Sequence, residues 1–169
     1  MKRTILSIAL ALCVGCAFAQ SKAFAKLADI KGVEYKHYDK QAIQQVAATG
    51  KPLTFGSPFD SYIQLGGGQD SAEFLGKMDD VMVFKTTDDK KAASQLKKMG
   101  FSFLKNEKYE SMIDVRHEGV TIKIGCIEDG DKVKVVNYGK DKYGTSLFLV
   151  VSGSAELLKS MKKGSVSID

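Results

Sequence analysis

Arginine is almost missing from this chain: Arg3 and Arg116 are the two among 25 basic side chains in 169 residues. Nucleic-acid readers lean on arginine's planar fork and on interleaved aromatics, so a nucleic-acid partner is not expected. Histidine is equally scarce. His37 and His117 stand far apart, with no H-E-x-x-H spacing or similar ligand cluster, so neither a metal site nor a cofactor is expected. No apolar run reaches the roughly 20 residues that a membrane-crossing helix needs. Also missing are the G-x-S-x-G elbow, the Walker lysine and the dinucleotide glycine pattern. Glu128-Asp129-Gly130-Asp131 is too short for a calcium loop.

The three cysteines carry a different message. Cys13 and Cys16 have redox-motif spacing, but they sit in a segment built as a secretory signal. Lys2 and Arg3 are followed by the apolar stretch Ile5 to Val14 and then by Ala17-Phe18-Ala19, an A-x-A cleavage site. Residues 1–19 are therefore expected to be removed, leaving Gln20 first, and the product exported to the periplasm or beyond the cell. A lipoprotein reading competes, with Cys16 as the lipidated residue and the outer envelope as its place. Loss of Lys2 and Arg3 lowers the net charge from +5 to +3. Cys126 is then the one thiol left, so no internal disulfide is expected. The lysine pairs Lys90-Lys91, Lys97-Lys98 and Lys162-Lys163 read as solvated helix faces.

Periodicity predicts the elements. Phe24, Leu27 and Ala28 mark a helix over Lys22–Asp29, and Val33–Tyr38 alternates as a strand. Asp39 caps a helix running to about Ala48. Asp70 opens another, with Ala72, Leu75 and Met78 on its apolar face, and Val81–Thr86 is a strand. Asp88 and Asp89 start a helix marked by Ala92, Leu96, Met99 and Phe103, which Gly100 is expected to bend or end. From Tyr109 onward the pattern is sheet. Glu118-Gly119 turns the chain, Val120, Ile122, Ile124 and Cys126 share a core face, and Asp129-Gly130 signals a hairpin. Leu147–Val151 is apolar on both faces, and Ser154–Lys163 closes the chain as a helix burying Leu157, Leu158 and Met161.

Together these predict an α+β domain over residues 20–169. It has an antiparallel sheet of about five or six strands with a C-terminal meander. Helices are expected mainly on one face, while Lys123, Lys132, Lys134 and Asp114 turn the other towards water. Both prolines fall in the irregular stretch Gly50–Gln69, which also holds Leu53, Phe55, Phe59, Tyr62 and Ile63. So much apolar bulk either forms a contact surface, with Leu53, Phe55, Phe59 and Tyr62 as binding residues, or folds back to cap the sheet beside an edge strand at Tyr62–Leu65.

Several segments recur in a known arrangement. Asp80-Val81-Met82-Val83-Phe84 precedes a lysine-rich helix. Then come Tyr109-Glu110-Ser111-Met112-Ile113-Asp114-Val115, Gly119-Val120-Thr121-Ile122 and the closing strand Leu147–Gly153. This order resembles the exported bacterial domain of unknown function family 4252, over about Ala23 to Gly153. The Gly50–Gln69 stretch departs from its pattern. The resemblance implies export and an unassigned role, and it transfers no catalytic residue. The functional expectation is a non-catalytic module that binds a protein, peptide or envelope component. The alternatives are a small hydrolase using dispersed acidic residues, and a carrier of an apolar small molecule between sheet and helices.

Overall fold

A computed structural model describes residues 24–56, 59–61, 64–66, 70–87, 89–106 and 109–163. The signal segment, Cys16, Gln20, Tyr62, Ile63 and Asp88 lie outside these residues, as does the side chain of Phe103. The described chain opens in a helix at 24–28 (α1). There follow β1 (Val33–Asp39), α2 (Lys40–Ala48), α3 (Ser71–Gly76), β2 (Met78–Thr86) and α4 (Lys90–Asn106). The remainder is β3 (Glu110–His117), β4 (Val120–Asp129), β5 (Lys132–Lys140), β6 (Ser146–Ser154) and α5 (Ala155–Lys163). The strands form one sheet in the order β1-β2-β6-β5-β4-β3, every neighbour antiparallel, and the class is α+β.

Local chemistry sets many of the boundaries. The Asp39 carboxylate accepts from the Ala42 amide at 2.8 Å, so β1 passes directly into α2. Asp89 does the same for α4, accepting from the amides of Lys91 and Ala92 at 2.9 Å. The β3–β4 turn holds Glu118 at φ 46° and Gly119 at φ 83°, the paired positive angles of a type I′ hairpin. In the β4–β5 hairpin Asp129 still pairs with Lys132. The two loop residues are therefore Gly130 and Asp131, with Gly130 at φ 63°.

Three expectations change. Met78 belongs to β2, not to the preceding helix; it is 1% exposed, and the ladder is irregular between it and Asp80. Gly100 does not end α4. The helix runs on to Asn106 because that bare position lies against the Phe148 ring, where a Cβ would come within 2.7 Å.

The third change concerns layers, because helices cover both faces of the sheet. One core joins Val81, Val83, Val135 and Leu149 to Ile43 of α2, Leu75 of α3 and Leu157 of α5. The other joins Phe84, Val136, Phe148 and Val150 to Phe24 and Leu27 of α1 and Leu96 of α4. Alternate residues of β2 and β6 feed the two cores, which is why those strands read as apolar throughout. Of the lysines expected on an open face, Lys132 is exposed, whereas Lys123 and Lys134 mark the rim of the second core. Lys123 Nζ lies 5.2 Å from the Phe101 ring centre and Lys134 Nζ 5.8 Å from that of Phe24. Each ammonium group thus stands over an aromatic ring of the helical layer.

Candidate functional site

The irregular segment after α2 turns inward. Leu53, Phe55, Phe59 and Leu65 are 2–5% exposed and belong to the first core. Two backbone bonds tie Leu53 to Leu65, at 2.8 and 3.4 Å. The Asp60 carboxylate accepts from the amides of Phe55 and Gly56 at 2.6 and 2.9 Å, which pins the segment closed. Leu53, Phe55 and Phe59 thus meet core side chains, not solvent.

A thiol and an imidazole on neighbouring strands could in principle pair as nucleophile and base, but Cys126 and His117 are separated. His117 faces Val120 across the β3–β4 turn, whereas Cys126 pairs with Glu110 at the other end of the same ladder. Six residues of extended strand place them roughly 20 Å apart. Cys126 is 2% exposed within the first core. His117 is exposed at the turn, with Glu118 3.6 Å away.

The adjacent acids Asp79 and Asp80 diverge. Asp79 is gripped by Lys132 at 2.7 Å and Lys40 at 2.8 Å, while Asp80 hydrogen-bonds His37 from β1. Hydrogen bonds from Lys132 and Lys40 lower the Asp79 pKa, and burial works against them. This cluster ties the start of α2 to the ends of β2 and β5, so its charges are neutralised internally. Concavities follow the same logic. A cavity of about 10 Å³ beside Phe59, Ile122 and Asp141 has room for one water. The larger ones are open grooves of about 910 and 600 Å³ along the two flanks of α4, not chambers between sheet and helix.

Those grooves frame a surface rich in charge of one sign. α4 carries Lys90, Lys91, Lys97, Lys98 and Lys105 and no acidic residue. On one flank α1 and the turn after it add Lys26 and Lys31. On the other, the β5–β6 connection adds Lys140, Lys142 and Tyr143, the last 72% exposed. All of these lysines are exposed, and among the described residues none forms an ion pair. Elsewhere Lys40, Lys77, Lys123, Lys132 and Lys159 each bind a carboxylate, while Lys36 and Lys51 stand singly, with no ion pair among the described residues. The lysine pairs of α4 were visible in the sequence. That α1 and the β5–β6 connection join them is a tertiary fact. The usable signal was a helix with lysines and no acid three or four residues away.

These features define a class: a helix-covered antiparallel sheet whose nucleophile candidates are buried or dispersed and whose outstanding surface is cationic. Within that class, the chain belongs to the family described as Domain of unknown function (DUF4252), which matches residues 35–159. No curated protein matches it. Among the described residues, no helix is long and apolar enough to cross a membrane.

Proposed function

We propose that this protein is an exported, non-catalytic binding module that takes an acidic envelope component on the α1/α4 face. The observation that carries the reading is the contrast in lysine pairing. Carboxylates meet Lys40 and Lys132 at the β1–β2 end, Lys77 just after α3 and Lys159 on α5, and among the described residues none meets those of α4. A cationic surface left without internal partners attracts anions from outside the molecule. Export rests on the signal-like residues 1–19.

Two measurements test it. Intact mass of the protein recovered from the cell envelope should show a chain beginning at Gln20; a diacylated Cys16 start would replace the soluble form with an anchored one. Immobilised soluble polyanion should retain the purified protein and release it with salt. Failure of retention at low salt removes the binding surface, and steady turnover of simple esters, peptides or glycosides by the pure protein would replace the module with an enzyme.

A further inference from the structure

We infer that the α1/α4 face docks on the surface of an anionic phospholipid bilayer. This rests on the binding-module reading and names its partner. Three observations select a bilayer over a soluble acidic polymer.

The first is the shape of the charge. A 17-residue helix extends about 25 Å, and its lysines recur at seven-residue intervals (Lys90 and Lys97, Lys91 and Lys98) along two lines. Such lines face a plane; they do not converge on one anion. The second is the choice of cation. Lysine is a compact point charge suited to a diffuse negative surface, whereas bidentate recognition of individual phosphates uses arginine, and α4 has none. Among the described residues the acids beside it are few. Asp89 is occupied in capping α4, Asp29 stands at the end of α1, and Asp141 is buried with one oxygen accepting from the amides of Tyr143 and Thr145.

The third observation is apolar material placed between the charges. Ile30 and Met99 are half-buried in the groove whose rim carries Lys26, Lys31, Lys91 and Lys98. On the opposite flank Tyr143 projects beside Lys142, whose Nζ lies 5.2 Å from the ring centre. An exposed tyrosine among lysines matches the level of lipid headgroups, where an amphipathic ring has both apolar and wet neighbours. A soluble polyanion would use the lysines and leave these groups idle.

The test is co-sedimentation of the processed, unlipidated protein with phosphatidylcholine vesicles, with and without phosphatidylglycerol. Binding is expected only to the phosphatidylglycerol vesicles and should fall as salt rises. The double reversal Lys91→Glu with Lys98→Glu should lower partitioning by about tenfold or more, and Tyr143→Ser by about threefold. Lys36→Glu with Lys51→Glu makes the same change in net charge away from this face and should leave partitioning within about twofold. Thermal melts of each variant establish that it is folded.

Equal loss in the two double variants would mean that net charge alone acts, and would overturn the inference. So would equal binding to neutral vesicles. Retention on soluble polyanion without vesicle binding would overturn the bilayer while leaving the binding module; failure of both would remove the two together.

Discussion

The two layers that cover the sheet are built on different terms. On one face α2, α3, α5 and the segment around Phe55 and Phe59 form a layer whose polar groups mostly find partners within the molecule. Lys77 bonds Glu73 on α3, Lys159 bonds Glu156 on α5, and Asp60 holds the backbone of its own segment. On the other face one long helix lies over Phe148 and sends its lysines outward, with no carboxylate among the described residues to meet them. The first layer's side chains are committed to holding the fold. The second keeps its charge available, which is the arrangement expected where stability and recognition are assigned to different surfaces.

The largest expected effect lies in the first layer. Phe59 is 2% exposed in a core that the sheet alone would leave open. Phe59→Ala should cost about 3–5 kcal/mol in urea unfolding, since the neighbouring backbone, pinned by Asp60, cannot collapse into the space. Polyanion retention per folded molecule should not change. A stable variant that loses retention would move the binding surface to this segment and break the comparison.

Gly100 tests how tightly the second layer is seated. Alanine there gains about 1 kcal/mol in helix propensity, but its Cβ would lie 2.7 Å from a ring atom of fully buried Phe148. The ring has no room to retreat, so Gly100→Ala should lower stability by a net 1–2 kcal/mol, roughly. An increase in stability would mean that α4 stands further from the sheet.

Much of this was legible in the sequence because it is local. Asp39, Gly119 and Gly130 mark ends and turns through their own hydrogen bonds and dihedrals, and the strands of the meander follow a two-residue period. The family was legible too, through its strand segments. The second helical layer was not. Lys123 and Lys134 occupy sheet positions that read as wet, and only the docking of Phe101 and Phe24 against their ammonium groups shows that the face is covered. Met78 fits a helical spacing from Leu75, yet ladder pairing draws it into β2. Val120, Ile122, Ile124 and Cys126 do share a face, but only Cys126 is fully buried, because β4 runs out towards the sheet edge. The cationic face needs three separate stretches of chain, so no single stretch reveals it.

A smaller effect follows from the paired end of the sheet. Lys132 and Lys40 depress the Asp79 pKa in the folded state, whereas in the unfolded chain it returns to about 3.8. A carboxylate with a lowered folded pKa adds stability above its unfolded pKa. That stability is lost as pH falls through the folded value. Urea melts of Asp79→Asn should therefore show a deficit of less than about 1 kcal/mol at neutral pH, as for partly exposed pairs, which disappears in strong acid. A deficit that persists unchanged in strong acid would assign Asp79 a packing role.

The smallest effect comes from giving α4 what α3 and α5 already have. Ser94 is exposed on the outer surface of the helix, four residues after Lys90 and four before Lys98. A glutamate there would reach both lysines, and a glutamate four residues ahead of a lysine is the favourable orientation on a helix. Ser94→Glu should raise stability by about 0.2–0.5 kcal/mol per pair formed. The same substitution neutralises the middle of the cationic face, so partitioning onto phosphatidylglycerol vesicles should fall even as the melting temperature rises. Opposite movement of the two quantities is the signature of charges kept unpaired for an external partner. If stability and partitioning rise together, or partitioning is indifferent, the lysines of α4 are solvated surface and the contrast between the layers has no bearing on binding.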